Sequence, residues 1–342
     1  MPLTELRRRA GALFVDNAFR GLATVSKLHP RADPARHNVG VEHNVRYSND
    51  PAHPTRVLDV YAPLERSARP FPAVLYVHGG GFRILSKDTH WVMALAFARA
   101  GYVVFNVDYR LAPTHPFPAA FDDVSAAYAW VVENAARFGA DPRRLIIAGE
   151  SAGANLTLAL TLAATHEHSS PFAKRVFETG VAPVASAPMC GIFQVSDTER
   201  FVRRKPRMLS VIADRLTEVE HAYLGGSKVA PDDPERDLAD PLLWLERESS
   251  SSRPLPPLFT AVGTKDPLVD DTRRLERAWR ARGARVEAHV YPGEVHAYHA
   301  FVWRPAARDT WKKKHAFLSD VLRTHEIESP AHPEPEAGDE RR

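Results

Sequence analysis

Ser151 stands in Gly149-Glu150-Ser151-Ala152-Gly153, between the apolar run Leu145-Ile146-Ile147-Ala148 and the helix-forming stretch Ala154 to Leu160. A serine attacks a carbonyl only if its hydroxyl stands clear of its own backbone. A sharp strand-to-helix turn achieves this by straining the serine and leaving room only for glycine on either flank. The helix that follows aims free N–H groups and its positive dipole end at the place where an oxyanion would form. A second glycine-rich segment, His78-Gly79-Gly80-Gly81-Phe82, follows the strand-like run Ala73 to Val77. Three consecutive glycines let the backbone approach a substrate and turn two amides toward one point, as an oxyanion hole requires. Neither segment has the Lys-Ser/Thr ending of a phosphate loop or the spaced glycines of a dinucleotide fold.

Two further segments carry an acid and a base. They are Asp266-Pro267-Leu268-Val269-Asp270-Asp271 and, downstream, Gly293-Glu294-Val295-His296-Ala297. The order Ser, Asp, His is that of the α/β-hydrolases. Together with Asp108-Tyr109-Arg110-Leu111-Ala112-Pro113 and His115-Pro116-Phe117-Pro118-Ala119-Ala120, these motifs make the chain resemble the hormone-sensitive-lipase-like esterases, from about Asp59 to His325. The sequence departs from that pattern at two places. His296-Ala297-Tyr298-His299 puts a second histidine near the expected base, and the Glu150 and Ala154 spelling is more typical of the type-B carboxylesterases. That second family places a glutamate as acid and its histidine far downstream, for which this chain is too short.

The resemblance implies an acyl-enzyme mechanism. His296 takes the Ser151 proton, Asp266 orients the imidazole, and the amides of Gly80, Gly81 and Ala152 hold the oxyanion, with Gly79 shaping the loop and His78 bracing it. No metal or organic cofactor is expected. The substrate is expected to be a small-molecule ester of short to medium acyl chain. Spacing and the Pro292-Gly293 turn favour His296 over His299, which is expected to pack near the last helix. Asp270 and Asp271 are rival acids, expected instead to cap the helix that follows them. The same triad could serve an amidase or an acyltransferase. A non-catalytic small-molecule binder on this fold, as in the plant gibberellin receptors, lacks the triad histidine that stands here.

The elements that must position these residues follow from periodicity. Short β-branched runs at Ala73 to Val77, Tyr102 to Val107, Leu145 to Ala148, Ala182 to Ala187, Leu258 to Val262 and Val286 to Tyr291 alternate with helical patterns. The alternation predicts a mostly parallel sheet flanked by helices on both faces. Helices are predicted over Thr89 to Ala100, Phe121 to Phe138 and Asp271 to Arg282, each followed by a glycine. An antiparallel lead-in pair is predicted at Val41 to Tyr47 and Arg56 to Tyr61. Pro2 to Lys27 has the spacing of an amphipathic helix. The domain reading is a cap segment over 1–45, a catalytic domain over 46–192 and 246–327, a cap insertion over 193–245 containing a helix at Leu209 to Leu224, and a disordered tail over 328–342.

A chain of 342 residues carrying a formal charge of +3 has too little dispersed charge to argue for nucleic acid. The lone cysteine, Cys190, excludes an intramolecular disulfide and reads as a buried thiol. No apolar run approaches the roughly 20 residues of a membrane span, so a cytoplasmic location is expected. The run Val286 to Tyr291 is a plausible exposed edge through which a homodimer could form. His166-Glu167-His168 lacks the spacing of a zinc protease and is expected in an exposed turn.

Overall fold

Successive residues of a strand face opposite sides of its sheet, and a strand buried on both faces must be apolar throughout. β3 (Phe71–Val77) meets both conditions: Ala73, Leu75 and Val77 join one core, Val74 and Tyr76 the other. The computed structural model describes residues 17, 21, 23–48, 50, 53, 56–65, 67–247 and 250–328. Among them, β3 is joined by β1 (Val39–Arg46), β2 (Val57–Pro63), β4 (Val103–Val107), β5 (Ala140–Glu150), β6 (Ala185–Met189), β7 (Leu258–Gly263) and β8 (Val286–Tyr291). The sheet order is β1-β2-β4-β3-β5-β6-β7-β8. β1 and β2 run antiparallel to their neighbours, and all pairs from β3 to β8 are parallel.

Helices cover both faces. On one lie α1 (Trp91–Ala98) and α9 (Pro305–Glu328). On the other lie α2 (Ala119–Asn134), α3 (Ala152–Thr165), α4 (Pro171–Glu178) and α8 (Val269–Ala281). All 14 residues of α3 are buried, so this helix is enclosed around its whole circumference, and the hydroxyls of its Thr157, Thr161 and Thr165 donate to the carbonyls one turn earlier. Gly139 and Gly283 follow their helical segments with φ of 74° and 68°, as the C-terminal glycines predict.

The insertion between β6 and β7 carries α5 (Glu199–Arg204), α6 (Ser210–Leu224), a short 3-10 turn at Pro234–Leu238 and α7 (Pro241–Arg247). Only α6 was expected from the sequence. α5 and α7 have six and seven residues, too few for a helical period to stand out from the proline-rich, acidic stretch around them.

Several expectations need correcting. A segment boundary at residue 45 cuts through β1, which pairs with β2 from Val39 onward. His166 and His168 do not sit in an open turn: their rings pack on Trp244 at centroid distances of 5.4 Å and 5.0 Å. Most of the amphipathic stretch from Pro2 to Lys27 lies outside the described residues. So does the tail beyond Glu328, which is itself the last residue of α9. No helix among the described residues is long and apolar enough to cross a membrane.

Candidate active site

The end of β5 and the start of α3 meet at Ser151, whose φ of 55° and ψ of −119° lie in a region that a side chain rarely adopts. The turn is held by close packing. A Cβ on Gly153 would lie 2.1 Å from the Val77 carbonyl oxygen, and one on Gly149 would lie 2.6 Å from the same atom. Both flanks are therefore glycine because the backbone of β3 passes too close for anything larger.

The strained turn aims the Ser151 hydroxyl at His296. Ser151 Oγ lies 2.9 Å from His296 Nε2, and His296 Nδ1 lies 2.8 Å from Asp266 Oδ2. Because a carboxylate accepts only, the ring carries its proton on Nδ1, and Nε2 is left to accept from the serine. Asp266 is fully buried, its other oxygen accepting the Leu268 N–H at 2.8 Å. The His296 side chain is 36% exposed, so the chain of bonds opens outward at the imidazole. Burial pushes the His296 pKa down, but the charge and hydrogen bond of Asp266 outweigh it, and the net shift is upward. Such a chain can withdraw a serine proton and keep the resulting imidazolium paired.

The glycine loop stands beside it. A Cβ on Gly79 would lie 3.3 Å from Ser151 Cβ. Gly80 and Gly81 have φ of 116° and 60°, and a Cβ on Gly80 would fall 2.0 Å from the Ile84 carbonyl oxygen. None of the amides of Gly80, Gly81 and Ala152 donates to a partner among the described residues. His78 is buried, with its Nδ1 2.7 Å from the Gly79 carbonyl oxygen and its ring stacked on Tyr109 at 4.2 Å. Burial lowers its pKa to about 3, so it braces the loop as a neutral ring.

The rivals named from sequence sit elsewhere. His299 is buried in a 3-10 turn, where Trp311 Nε1 donates to its carbonyl oxygen at 3.0 Å, and burial together with the Lys314 charge pushes its pKa far down. Asp270 and Asp271 do not cap α8, which already begins at Val269 with no side-chain cap and contains both of them in its first turn. Asp271 is buried. Its Oδ2 accepts from the Phe193 N–H at 2.9 Å and from Arg200 at 2.6 Å, tying the start of the insertion to α8. Asp270 pairs with Arg204 and Arg273 at the surface.

Sequence reasoning missed a buried polar group beneath the serine. Glu150 Oε1 accepts the Gly79 N–H at 2.7 Å and lies 2.7 Å from His90 Nε2, while Tyr76 donates to Oε2. Burial raises the Glu150 pKa to about 8 and lowers that of His90 to about 4. The glutamate was visible inside its motif, but nothing in the sequence ties His90 to it. Cys190 was expected to be buried and is. Its sulfur also lies within 4.8 Å of a carboxylate oxygen of Asp266 and a ring nitrogen of His296, a neighbourhood no motif announces.

The insertion closes over this ground. A Cβ on Gly81 would lie 2.7 Å from Val219 Cγ2 in α6. Tyr223, one turn further on, stacks on Phe82 at 3.7 Å, and Glu218 pairs with Arg83 at 2.9 Å. Asn155 Nδ2, in the helix after the serine, donates to the Ile192 and Ala239 carbonyl oxygens and holds the insertion's two ends.

Residues 74–300 match the family model described as alpha/beta hydrolase fold. The carboxylesterase NlhH of Mycobacterium tuberculosis is 35% identical over 73% of this chain and 74% of its own length. An esterase of the bacterial hormone-sensitive lipase family superposes with a TM-score of 0.64 at 28% identity, covering 83% of this chain and 85% of that one. EstE5, in a crystal soaked with p-nitrophenyl butyrate, superposes with a TM-score of 0.64 at 26% identity over 84% of this chain and 86% of its own.

Proposed function

The chain belongs to the α/β-hydrolase family and is a carboxylic ester hydrolase, and we propose that it cleaves short- to medium-chain acyl esters through Ser151, His296 and Asp266. The observation that carries this reading is the pair of hydrogen bonds at 2.9 Å and 2.8 Å joining serine, imidazole and carboxylate.

In this mechanism Ser151 Oγ attacks the ester carbonyl while His296 Nε2 takes its proton, and the carbonyl electrons move onto oxygen. The Gly80, Gly81 and Ala152 amides receive that oxyanion, each being worth about 100- to 1000-fold in rate where such donors have been removed from other hydrolases. His296 then protonates the departing alcohol, leaving an acyl-Ser151 ester. Water enters, gives its proton to His296 and attacks the acyl carbon, and His296 returns that proton to Ser151 Oγ as the acyl C–O bond breaks, releasing acid and free serine. Asp266 keeps the ring in the one tautomer that serves both halves.

The acyl range is supported by the proximity of α6, which leaves limited height over the glycine loop, and by a neighbour whose crystal was soaked with a butyrate ester. Residues 193–245 act in this reading as a cap, joined by the N-terminal segment. A cytoplasmic location belongs to the same reading and is supported by the single, buried cysteine. Hydrolysis of p-nitrophenyl esters from acetate to palmitate, with Ser151→Ala as control, tests it. Activity peaking at short or middle chains and lost in the variant is expected. A folded protein inactive on the whole series would overturn it.

A further inference from the structure

A cavity of about 520 Å³ opens beside the triad acid, between the insertion and the Asp266 loop. It includes the residues on either side of Asp266, and its charged lining is entirely cationic: Lys205, Arg207 and Lys265. Met208, Leu209 and Ile212 give it an apolar wall. Neighbouring cations of the insertion are matched, Arg203 by Asp197 and Arg204 by Asp270. The three lining the cavity meet no carboxylate among the described residues, and Lys205 donates to the Asp266 carbonyl oxygen at 3.1 Å. Three like charges around one cavity repel each other, and a bound anion would relieve that repulsion. Leu209 is 66% exposed, which leaves apolar surface next to those charges among the described residues.

α6 connects this cavity to the nucleophile. Ile212 lines the cavity, and Val219, seven residues on and therefore on the same helix face, lies over Gly81. At a rise of 1.5 Å per residue the two are separated by about 10 Å along the axis. Ser151 contacts the glycine loop over which Val219 lies, and through His296 it reaches Asp266, whose two chain neighbours line the cavity.

Resting on the esterase reading above, we propose that this cavity is a subsite for a carboxylate carried by the substrate at the far end of an aliphatic chain, so that the enzyme favours esters bearing a remote acid group over neutral esters of equal length. The chain of such a substrate lies on Met208, Leu209 and Ile212, and its carboxylate meets Arg207 and Lys265. The acid group can sit on the acyl side or on the alcohol side, and both present the same chemistry to the cavity.

The test compares kcat/KM for matched pairs. On the acyl side the pair is mono-4-nitrophenyl suberate against 4-nitrophenyl octanoate. On the alcohol side it is the butyrate ester of 8-hydroxyoctanoic acid against octyl butyrate, followed by acid release. Each is measured in the full chain and in the Arg207→Ala/Lys265→Ala variant, at low and high salt. Both side chains are exposed, so the variant is expected to fold, and a thermal unfolding midpoint matching that of the parent verifies it. The preference for the charged member of one pair is expected to fall about fivefold in the variant, the worth of two exposed ion pairs, and to weaken with salt in the parent. The arm in which it falls identifies the side that carries the acid. Charged-to-neutral ratios that are the same in parent and variant on both arms overturn the proposal. Absence of hydrolysis of every ester, neutral ones included, is a different result and overturns the esterase reading instead.

Discussion

Glu150 accepts the N–H of Gly79 at 2.7 Å, so the residue before Ser151 is bonded to the first glycine of the loop beside it. The same oxygen faces His90 Nε2. His90 Nδ1 lies 3.1 Å from the Ser86 carbonyl oxygen, which only accepts, and 2.9 Å from Thr89 Oγ1, whose own proton goes to that same carbonyl, so the ring proton sits on Nδ1 and Nε2 must receive one. A neutral glutamic acid donating to a neutral histidine satisfies every atom, in agreement with the upward and downward shifts of the two pKa values.

Glutamine cannot reproduce that set. With its oxygen toward Gly79 it offers His90 no donor, and with its amide there it opposes the Gly79 N–H. Glu150→Gln is expected to lower kcat by roughly ten- to hundredfold, the range set by one buried group left without a partner. In the parent, ionisation near pH 8 would place a negative charge facing Tyr76, His90, Lys314 and His296, close to where the oxyanion forms. An alkaline decline in kcat/KM is therefore expected in the parent and absent in the variant. Stability carries the matching sign. A carboxyl whose folded pKa is raised stabilises fully below its ordinary value, and that contribution fades as pH rises toward 8. A parent and variant with superimposable pH–rate profiles would refute this account.

Asp266 and Asp271 are both buried carboxylates near the start of α8, but their partners differ. Asp271 holds Arg200 and the Phe193 N–H, and losing it would leave a nine-tenths buried guanidinium without its carboxylate. Asp271→Ala is expected to cost about 3 kcal/mol of stability, read from denaturant unfolding, with kcat changed far less than by Asp266→Asn. Equal losses of kcat in the two variants would count against assigning the triad acid to Asp266.

The contrast between these two aspartates marks how far the sequence could be read. Local signals were legible: strand runs at Ala73 to Val77 and Val286 to Tyr291, glycines ending helical segments, and the glycine-flanked serine all reflect chemistry within a few residues of chain. Ser151, Asp266 and His296 could be singled out because each stands in a recognisable local motif, and the structure brings all three within hydrogen-bonding reach. Asp271 was misread because its partners, Arg200 and Phe193, lie more than 70 residues upstream. His90 was missed for the same reason, and the cationic cavity draws on residues 205–212 and 265–267, which only the fold places together.

Cys190 is fully buried behind His296 and Asp266, and burial pushes its thiol pKa well above the ordinary value. The thiolate is the reactive form, so this cysteine should be inert despite its position. Incubation of the native enzyme with iodoacetamide at pH 8 is expected to leave both activity and mass unchanged, with one equivalent added only after denaturation. Rapid native alkylation with loss of activity would mean that the thiol is reachable from the catalytic side.

The acid limb of the pH profile follows from His296. Only the neutral ring can accept the serine proton, and Asp266 raises the pKa of this ring above its ordinary 6.5. Activity is therefore expected to rise with pH through an apparent pKa above that value, since the base form gains population as the proton leaves. In Asp266→Asn the charge that raised the pKa is gone, and the limb is expected to move to lower pH. The amide would also turn its donor or its oxygen toward Nδ1 with similar ease, so the tautomer with Nε2 protonated becomes populated and cannot serve as base. A drop in kcat of about 10⁴-fold is expected, the size found where a triad aspartate is replaced in this way. The two effects separate in one experiment: the pH–kcat/KM profile gives the shift in the limb, and its plateau gives the loss. A variant whose limb stays in place while its plateau falls would mean that the field of Asp266 does not set the His296 pKa.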